Sequence, residues 1–298
     1  MVVSASSIAS DVGRNVLVAG GSAVDAAVAT AFALSVTYPV AGNLGGGGLI
    51  TEADLAVYEA KERAPVRGMY RGYDVISMPP LRATILDDRA SPSRPAQVAV
   101  RRESDQTTHF SFIDADGMAV SVTYTLENGY GLGAVVAGAG FLLNNEMGDF
   151  NSKPGLTDTT GLIGTDPNLA LLGKRMLSSM TPTIIARDGK LVAVVGSPGG
   201  RTIINTVLQV LLNLVDGGMG MQAAVNAPRF HHQWLPDVLF TEHNGLPAPT
   251  VAALEAMGYH VRDGGEQGTA HSIFVDPRMG TRVGAADPRD ADAGASGH

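Results

Sequence analysis

Two alternating segments in the middle of the chain constrain the fold more than any other feature. Apolar and polar residues alternate over 108–114 and again over 118–125, as in half-buried β-strands. Asp116-Gly117 lies between the segments, and this dipeptide is typical of a tight hairpin turn. The pattern predicts a β-hairpin with Thr107 at its first edge, directly after a run rich in Pro, Ser and Arg.

Thr107 is a candidate nucleophile because of this position. A threonine hydroxyl reacts well only when a base lies beside it. Cleavage of the chain before Thr107 would free an α-amine that can take the hydroxyl proton. A threonine at a strand start is usually structural, so the motifs that follow decide between the two interpretations.

Six motifs follow Thr107 in a fixed order. They are VTYTLENGYG, GFLLNNEMGDF, LSSMTPT, VGSPGGR, NAPRFHHQW and AADPR. In order and spacing they resemble the small subunit of the γ-glutamyltranspeptidases, a family of N-terminal-nucleophile hydrolases. The resemblance covers essentially all of residues 107–298, and residues 20–48 resemble the beginning of the same family's large subunit.

This resemblance implies an α+β fold, a four-layer αββα sandwich, made from two segments that form one composite domain. Residues 1–106 correspond to a shortened large subunit and residues 107–298 to the catalytic small subunit. The sequence jumps after the glycine run and again after Pro79-Pro80, so two internal deletions are the simplest explanation. The sandwich is therefore expected to be incomplete on the large-subunit side.

The implied activity is hydrolysis or transfer of the γ-glutamyl group of glutathione and related amides, with water or an amine as acceptor. It would proceed through an acyl-enzyme on Thr107, formed after the precursor cleaves itself between Gln106 and Thr107. The two fragments would remain associated. A cephalosporin-acylase-like amidase is the alternative within this fold, and a catalytically inactive, truncated family member is a second alternative.

The catalytic residues that the resemblance implies lie on two predicted elements. Thr125, on the adjacent strand, would orient Thr107. Gly199 and Gly200 would supply the backbone N–H groups of an oxyanion hole. Glycines at a predicted helix start fit this role, because free N–H groups and the helix dipole face an anion there.

The substrate-binding residues are implied in the same way. Ser178 and Ser179 match a hydroxyl pair that binds the substrate α-carboxylate, and Glu146 and Asp149 match acceptors for its α-ammonium. Glu127 falls where relatives commonly carry an amide. The pocket is therefore expected to hold three carboxylates, with at least one protonated or turned away.

The arginine that holds the substrate carboxylate in relatives falls in a segment that this chain lacks. Arg63, in Glu62-Arg63-Ala64-Pro65, superficially mimics that element. By register it matches a different family motif. A solvated arginine is the expectation.

Composition excludes several other functions. A formal net charge of −8 without clustered Lys or Arg argues against nucleic acid and anionic membranes as partners. Zero cysteines exclude disulfides and thiolate metal sites. The glycine run at 45–48 lacks the Lys-Ser/Thr of a phosphate-binding loop, and the adjacent His231 and His232 point to opposite faces of a strand, so neither a cofactor nor a metal is expected.

No membrane span or signal peptide is visible in the sequence. Residues 26–49, which lie in the longest uncharged run of the N-terminal third, contain Pro39 and five glycines. The first residues lack a basic region followed by an apolar one. Because relatives are usually exported, this is a departure from the family, and the compartment stays open.

Local patterns predict the remaining elements. Helices are expected at 6–19 and 23–36, a short buried strand at 141–143 and a hairpin about Asp188-Gly189. A helix is expected to open at residues 197–200, with an apolar face that includes Ile204 and Leu208. A final helix at 251–257, a strand at 272–275 and a loose acidic tail complete the chain.

Overall fold

The computed structural model describes residues 1–42, 56–79, 106–138, 140–150, 169–171, 174–233 and 236–297. The glycine run at 45–48 lies outside the described residues. Among the described residues, no helix is both long and apolar enough to cross a bilayer.

Two capped helices form the first layer. After strand β1 (Val2–Ser4), helix α1 spans Ser7–Val18 and helix α2 spans Ala23–Thr37. The Ser22 hydroxyl accepts from the Asp25 N–H while the Asp25 carboxylate accepts from the Ser22 N–H, so a capping box begins α2. The helices predicted at 6–19 and 23–36 are thus confirmed to within one residue at each end.

The second layer is a four-stranded sheet of order β13-β1-β4-β5. Strand β4 spans Thr107–Ile113, β5 spans Ala119–Thr125 and β13 spans Gly294–Ser296. One face packs on α1 and α2, where Leu34, Phe110 and Phe112 are fully buried. The predicted hairpin is confirmed, but β4 is buried on both faces because a second sheet covers the other side.

That second sheet is the third layer, with six antiparallel strands in the order β12-β11-β7-β6-β3-β2. Its members are β2 (Val66–Tyr70), β3 (Tyr73–Ser77), β6 (Thr183–Arg187), β7 (Lys190–Val195), β11 (Ser272–Val275) and β12 (Arg282–Ala285). Val3 and Ile113 of the first sheet meet Val194 and Ile273 of the second in a buried core. Both sheets contain strands from each side of the Gln106–Thr107 bond.

Helices α3 (Thr202–Val215) and α4 (Met221–Asn226) cover the outer face of the second sheet and form the fourth layer. The α+β class and the αββα arrangement are therefore confirmed. A small third sheet of β8 (Phe230–His231), β9 (Leu239–Thr241) and β10 (Val261–Asp263) carries α5 (Ala248–Ala256).

Three local predictions outside the candidate site are wrong. Residues 141–143 form only an isolated bridge, Val135 to Leu142. Ile204 and Leu208 of α3 are about half exposed, at 50% and 49%, because the buried face is rotated toward Ile203, Val207 and Val210.

The predicted loose tail is the third error. The segment after β11 supplies β12 and β13. It also buries Asp287 to 1% exposure. The last part of the chain is therefore an integral part of both sheets.

Candidate active site

Thr107 and Thr125 face each other at the end of the first sheet. They are direct partners in the β4–β5 register, and Thr107 is buried. The Thr125 hydroxyl donates to the Gln106 carbonyl at 3.3 Å and accepts from the Glu127 N–H at 2.9 Å. The carbonyl that it contacts belongs to the bond that self-cleavage would break.

His109 shares the Thr107 face of β4, two residues further on. Its Nδ1 lies 2.8 Å from the Thr123 hydroxyl and its Nε2 lies 3.1 Å from the Ser111 hydroxyl. The ring fills the space over Gly196, where a Cβ would overlap it. Burial, followed by the nearby His271, holds the pKa of His109 well below its usual value, so its imidazole is neutral.

This histidine is a residue that the sequence reasoning missed. It connects β4 to the end of β7, and hence joins the threonine pair to the glycine loop that follows β7. The sequence did contain a signal for it, because Thr107, His109 and Ser111 are every second residue of a predicted strand and therefore share one face.

The three candidate carboxylates lie together beside Thr125. Glu146 and Asp149 are on a one-turn 3₁₀ helix, Glu146–Asp149, and Glu127 follows β5. Burial raises the pKa of Glu146 to about 8, with Asp149 and Glu127 adding repulsion and the Thr125 hydroxyl opposing the rise. Burial and then Asp149 raise the pKa of Glu127 to about 7, and burial also raises the pKa of Asp149.

Glu127 occupies its place only because two local features permit it. Its φ is +71°, in the left-handed region that non-glycine residues seldom adopt. Its carboxyl lies over Gly148, where a Cβ would overlap the carboxyl oxygens. The structure therefore holds a third acid against the 3₁₀ helix, and the raised pKa values mean that the cluster retains protons near neutral pH.

Gly199 and Gly200 form a left-handed turn after β7, with φ of +127° and +54°. Helix α3 begins at Thr202, so the expectation that residues 197–200 open the helix is wrong, since φ values of this sign cannot continue a right-handed helix. The Gly199 carbonyl accepts from the Thr202 N–H at 2.9 Å and from the Thr202 hydroxyl at 2.8 Å. These bonds fix the orientation of the turn ahead of the helix.

The candidate serines adjoin this turn. The Ser179 hydroxyl donates to the Gly200 carbonyl at 2.6 Å, and the Ser178 hydroxyl accepts from the Met180 N–H at 3.2 Å. The structure therefore gathers the candidates into two groups. Thr107, Thr125 and the three acids form one, and the serines with the two glycines form the other.

Arg63 and the two adjacent histidines were the remaining residues considered from the sequence. Arg63 is half-buried in the segment that precedes β2. The His231 ring lies between the side chains of Asn205 and Gln233, and His232 contacts Asp237 at 3.0 Å. Within the described ranges, no group of three or more His, Asp or Glu side chains is placed to hold a metal ion.

A buried charge network is the second feature that the sequence reasoning missed. Arg229 pairs with Asp287 at 2.6 Å, and Arg289 pairs with both Asp287 and Glu242. Arg229 and Asp287 are each 1% exposed. Their motifs, NAPRF and AADPR, marked the resemblance without revealing that the two arginines and two acids meet.

Known proteins share both the sequence and this architecture. The chain matches the family model described as Gamma-glutamyltranspeptidase over residues 9–51 and 81–297. The glutathione hydrolase proenzyme of Escherichia coli is 40% identical over 319 aligned residues, which cover 83% of this chain and 54% of that protein. The glutathione hydrolase proenzyme of Pseudomonas aeruginosa is 47% identical over 195 residues, covering 64% and 35% respectively.

Solved structures give the same result. A mutant gamma-glutamyltranspeptidase of Helicobacter pylori superposes with a TM-score of 0.58 at 50% identity, covering 61% of this chain and 98% of that one. A cephalosporin acylase of Bacillus halodurans has a TM-score of 0.64 over 84% of this chain at 22% identity, which shows the shared fold alone. The chain spans about half the length of the E. coli relative. By its sequence match and its layers, this chain belongs to the gamma-glutamyltranspeptidase family.

Proposed function

We propose that this chain hydrolyses or transfers the γ-glutamyl group of small amides such as glutathione, with Thr107 as the nucleophile. The observation that carries the proposal is the Thr125 hydroxyl, which donates to the Gln106 carbonyl while Thr125 is paired with Thr107. A donor on that oxygen favours attack at the Gln106–Thr107 bond, because it stabilises the negative charge that forms there.

Self-cleavage would follow from this geometry. The Thr107 hydroxyl oxygen attacks the Gln106 carbonyl carbon, and the Gln106–Thr107 C–N bond breaks as the Thr107 nitrogen takes up the hydroxyl proton. The product is an ester between the Gln106 carbonyl and Thr107 Oγ1. Water then hydrolyses this ester, which leaves a free carboxylate on Gln106 and a free α-amine on Thr107.

The same oxygen would then act on the substrate. Thr107 Oγ1 attacks the γ-carbonyl carbon while the α-amine takes the hydroxyl proton and passes it to the leaving amine. The N–H groups of Gly199 and Gly200 are the proposed oxyanion donors, and one donor of this kind is typically worth about 3 kcal/mol. Water or a second amine then releases the acyl group.

The carboxylate cluster would hold the α-ammonium of the γ-glutamyl group. A buried cation restores the ionised forms of Glu146 and Asp149, because an opposite charge lowers a carboxyl pKa. Ser178 and Ser179 would donate to the α-carboxylate from beside the glycine turn. Neutral hydroxyls are weaker donors than a guanidinium, so the grip on that carboxylate is expected to be weak.

Acyl transfer from a dicarboxylic amide without an ammonium is the second candidate. Two acylases of Pseudomonas species, each named Acylase ACY 1 proenzyme, are 29% identical to this chain. The raised pKa values of Glu127 and Glu146 favour this alternative, since a partly protonated cluster repels a substrate carboxylate less. Hydrolysis of glutaryl-p-nitroanilide at the rate of γ-glutamyl-p-nitroanilide would favour the acylase.

Maturation provides the direct experiment. The folded chain should split into fragments of 106 and 298 − 106 = 192 residues, seen as two masses by mass spectrometry. Thr107→Ala should remain intact, and Thr125→Val should cleave at least tenfold more slowly while Thr125→Ser, which keeps the hydroxyl, cleaves normally. A folded wild-type chain that stays whole would favour the inactive family member and overturn the proposal.

A further inference from the structure

Residues 267–271, here called the linking segment, are the last part of the connection from β10 to β11 and have no regular secondary structure. Its backbone is nevertheless fixed by buried side chains. The Gln267 N–H donates to Glu242 at 2.8 Å, and the Ala270 N–H donates to Asp287 at 2.7 Å. Arg229 donates to the carbonyls of Gln267 and Gly268 at 2.7 and 3.0 Å.

These anchors are rigid because they are bound to one another. Arg229 and Asp287 form a buried ion pair, and the second guanidinium N–H group of Arg229 also donates to the Val225 carbonyl at 2.8 Å. Buried, charge-assisted hydrogen bonds of this kind permit little movement. The linking segment is therefore a stiff element, although it is formally a loop.

One side of the linking segment lies under the glycine turn. The Thr269 N–H donates to the Ser197 hydroxyl at 3.1 Å, and that hydroxyl donates to the Pro198 carbonyl at 2.7 Å. A Cβ on Gly199 would lie 3.2 Å from the Gly268 Cα. Gly268 has φ of +65°, and a Cβ there would lie 2.8 Å from the Pro198 carbonyl, so only glycine fits without displacing the turn.

The other end of the linking segment reaches the strand that begins with Thr107. The Ser111 hydroxyl of β4 donates to the His271 carbonyl at 2.8 Å. The same hydroxyl lies 3.1 Å from His109, which fills the space over Gly196. A continuous set of short contacts therefore runs from β4 through residues 267–271 to the turn at Gly199.

We propose that the linking segment is a positioning element that fixes the glycine turn relative to β4, with Ser197 and Ser111 as its positioning residues. Its catalytic consequence rests on the function proposed above, in which the turn stabilises the oxyanion formed by Thr107. Oxyanion donors act only when they are held close to the developing charge, and a displacement of 1 Å can cost roughly 100-fold in rate.

The kinetic test uses three serine-to-alanine variants. Ser197→Ala and Ser111→Ala each remove one contact of the linking segment. Ser10→Ala is the matched control, because Ser10 is equally buried and donates to the Gly294 carbonyl at 2.8 Å, far along the chain from the site. With γ-glutamyl-p-nitroanilide, kcat should fall at least tenfold in the first two variants with KM changed less than twofold, and the control should match wild type.

Hydrogen exchange tests the positioning without any turnover. Ser111→Ala should speed amide exchange of residues 197–202 at least threefold, because Ser111 reaches that turn through the linking segment and through His109 over Gly196, and Ser10→Ala should not. Unchanged exchange at 197–202 in both test variants overturns the positioning role, and so does equal kcat in all three variants of an active enzyme. A wild-type protein that shows no turnover counts against the proposed function, while the exchange result still decides the positioning role.

Discussion

Two groups of charged side chains in this protein differ in their net charge. The network at the linking segment pairs two guanidinium groups, Arg229 and Arg289, with two carboxylates, Asp287 and Glu242. At the other group, Glu127, Glu146 and Asp149, the charges that perturb each glutamate are those of the other carboxyls. One group is neutral when fully ionised and the other is not.

The titration of the two groups reflects this difference. Burial alone would raise the pKa of Asp287, but the Arg229 and Arg289 charges and hydrogen bonds outweigh it and lower that pKa. Burial raises the pKa of Glu146 to about 8, and its acidic neighbours add to the rise. In the first group, the arginines neutralise the carboxylates. In the second group, a bound cation would neutralise the carboxylates, which supports the proposed role of this group in binding a substrate ammonium.

The largest expected effect is a loss of stability when one carboxylate of the first group loses its charge. Asp287→Asn leaves Arg229 buried without its counter-charge, and such a loss typically costs about 3–5 kcal/mol. Urea unfolding at pH 7, carried out in the uncleaved Thr107→Ala background so that refolding is unimolecular, should show that decrease. Asp116→Asn, in the exposed β4–β5 turn, is the control and should change stability by less than about 0.5 kcal/mol. Equal stability of the two variants would mean that the fold does not require Asp287 as the counter-charge of Arg229.

A smaller effect is expected from removing one charge of the second group. Asp149→Asn should raise KM for γ-glutamyl-p-nitroanilide about 10- to 100-fold, since a charged hydrogen bond is worth about 1.5–3 kcal/mol. The KM for glutaryl-p-nitroanilide, which has no ammonium, should not rise. Glu255→Gln, at an exposed position of α5, should change the KM of neither substrate. A parallel rise for both substrates would show that Asp149 shapes the pocket without binding the ammonium.

The smallest effect concerns the third acid. The pKa of Glu127 in the folded protein, about 7, lies above its ordinary value of 4.5, so its ionisation opposes folding as pH rises through that interval. Glu127→Gln should therefore stabilise the protein at pH 8 by about 1 kcal/mol after solvent screening is allowed for, and not at pH 4. Thermal melts of the uncleaved Thr107→Ala chain at both pH values measure the difference. An equal gain in stability at both pH values would show that the ionisation of Glu127 does not destabilise the folded protein.

Local sequence signals predicted the elements that local chemistry determines. The predicted start of α2 at residue 23 is confirmed, where Ser22 and Asp25 form a capping box in the structure, and Asp116-Gly117 marked the hairpin whose register opposes Thr107 to Thr125. Position along that strand could not reveal that β4 is buried on both faces, because the covering sheet comes from distant residues. The order of the layers followed from the resemblance.

Several of the errors and omissions involve long-range contacts, whereas the wrong helix start at 197–200 follows from the positive φ values of Gly199 and Gly200. The acidic tail forms strands because β13 pairs with β1 at the opposite end of the chain. Arg229 meets a partner that lies 58 residues away, and no spacing rule announces such a pair. The three acids were expected to share a pocket, whereas the close approach of Glu127 to Gly148 depends on a loop that brings residues 127 and 148 together and has no local sequence signal.

The division of both sheets across the Gln106–Thr107 bond has a consequence for folding. Strand β1 lies between β13 and β4, and β2 and β3 extend the second sheet beyond β6. The intact chain assembles these strands as parts of one molecule, at a high effective concentration. After the proposed cut, the same strands belong to two molecules, and a denatured pair must meet by diffusion before it can refold. Maturation would therefore make assembly a one-way process, in which native structure persists because unfolding is slow.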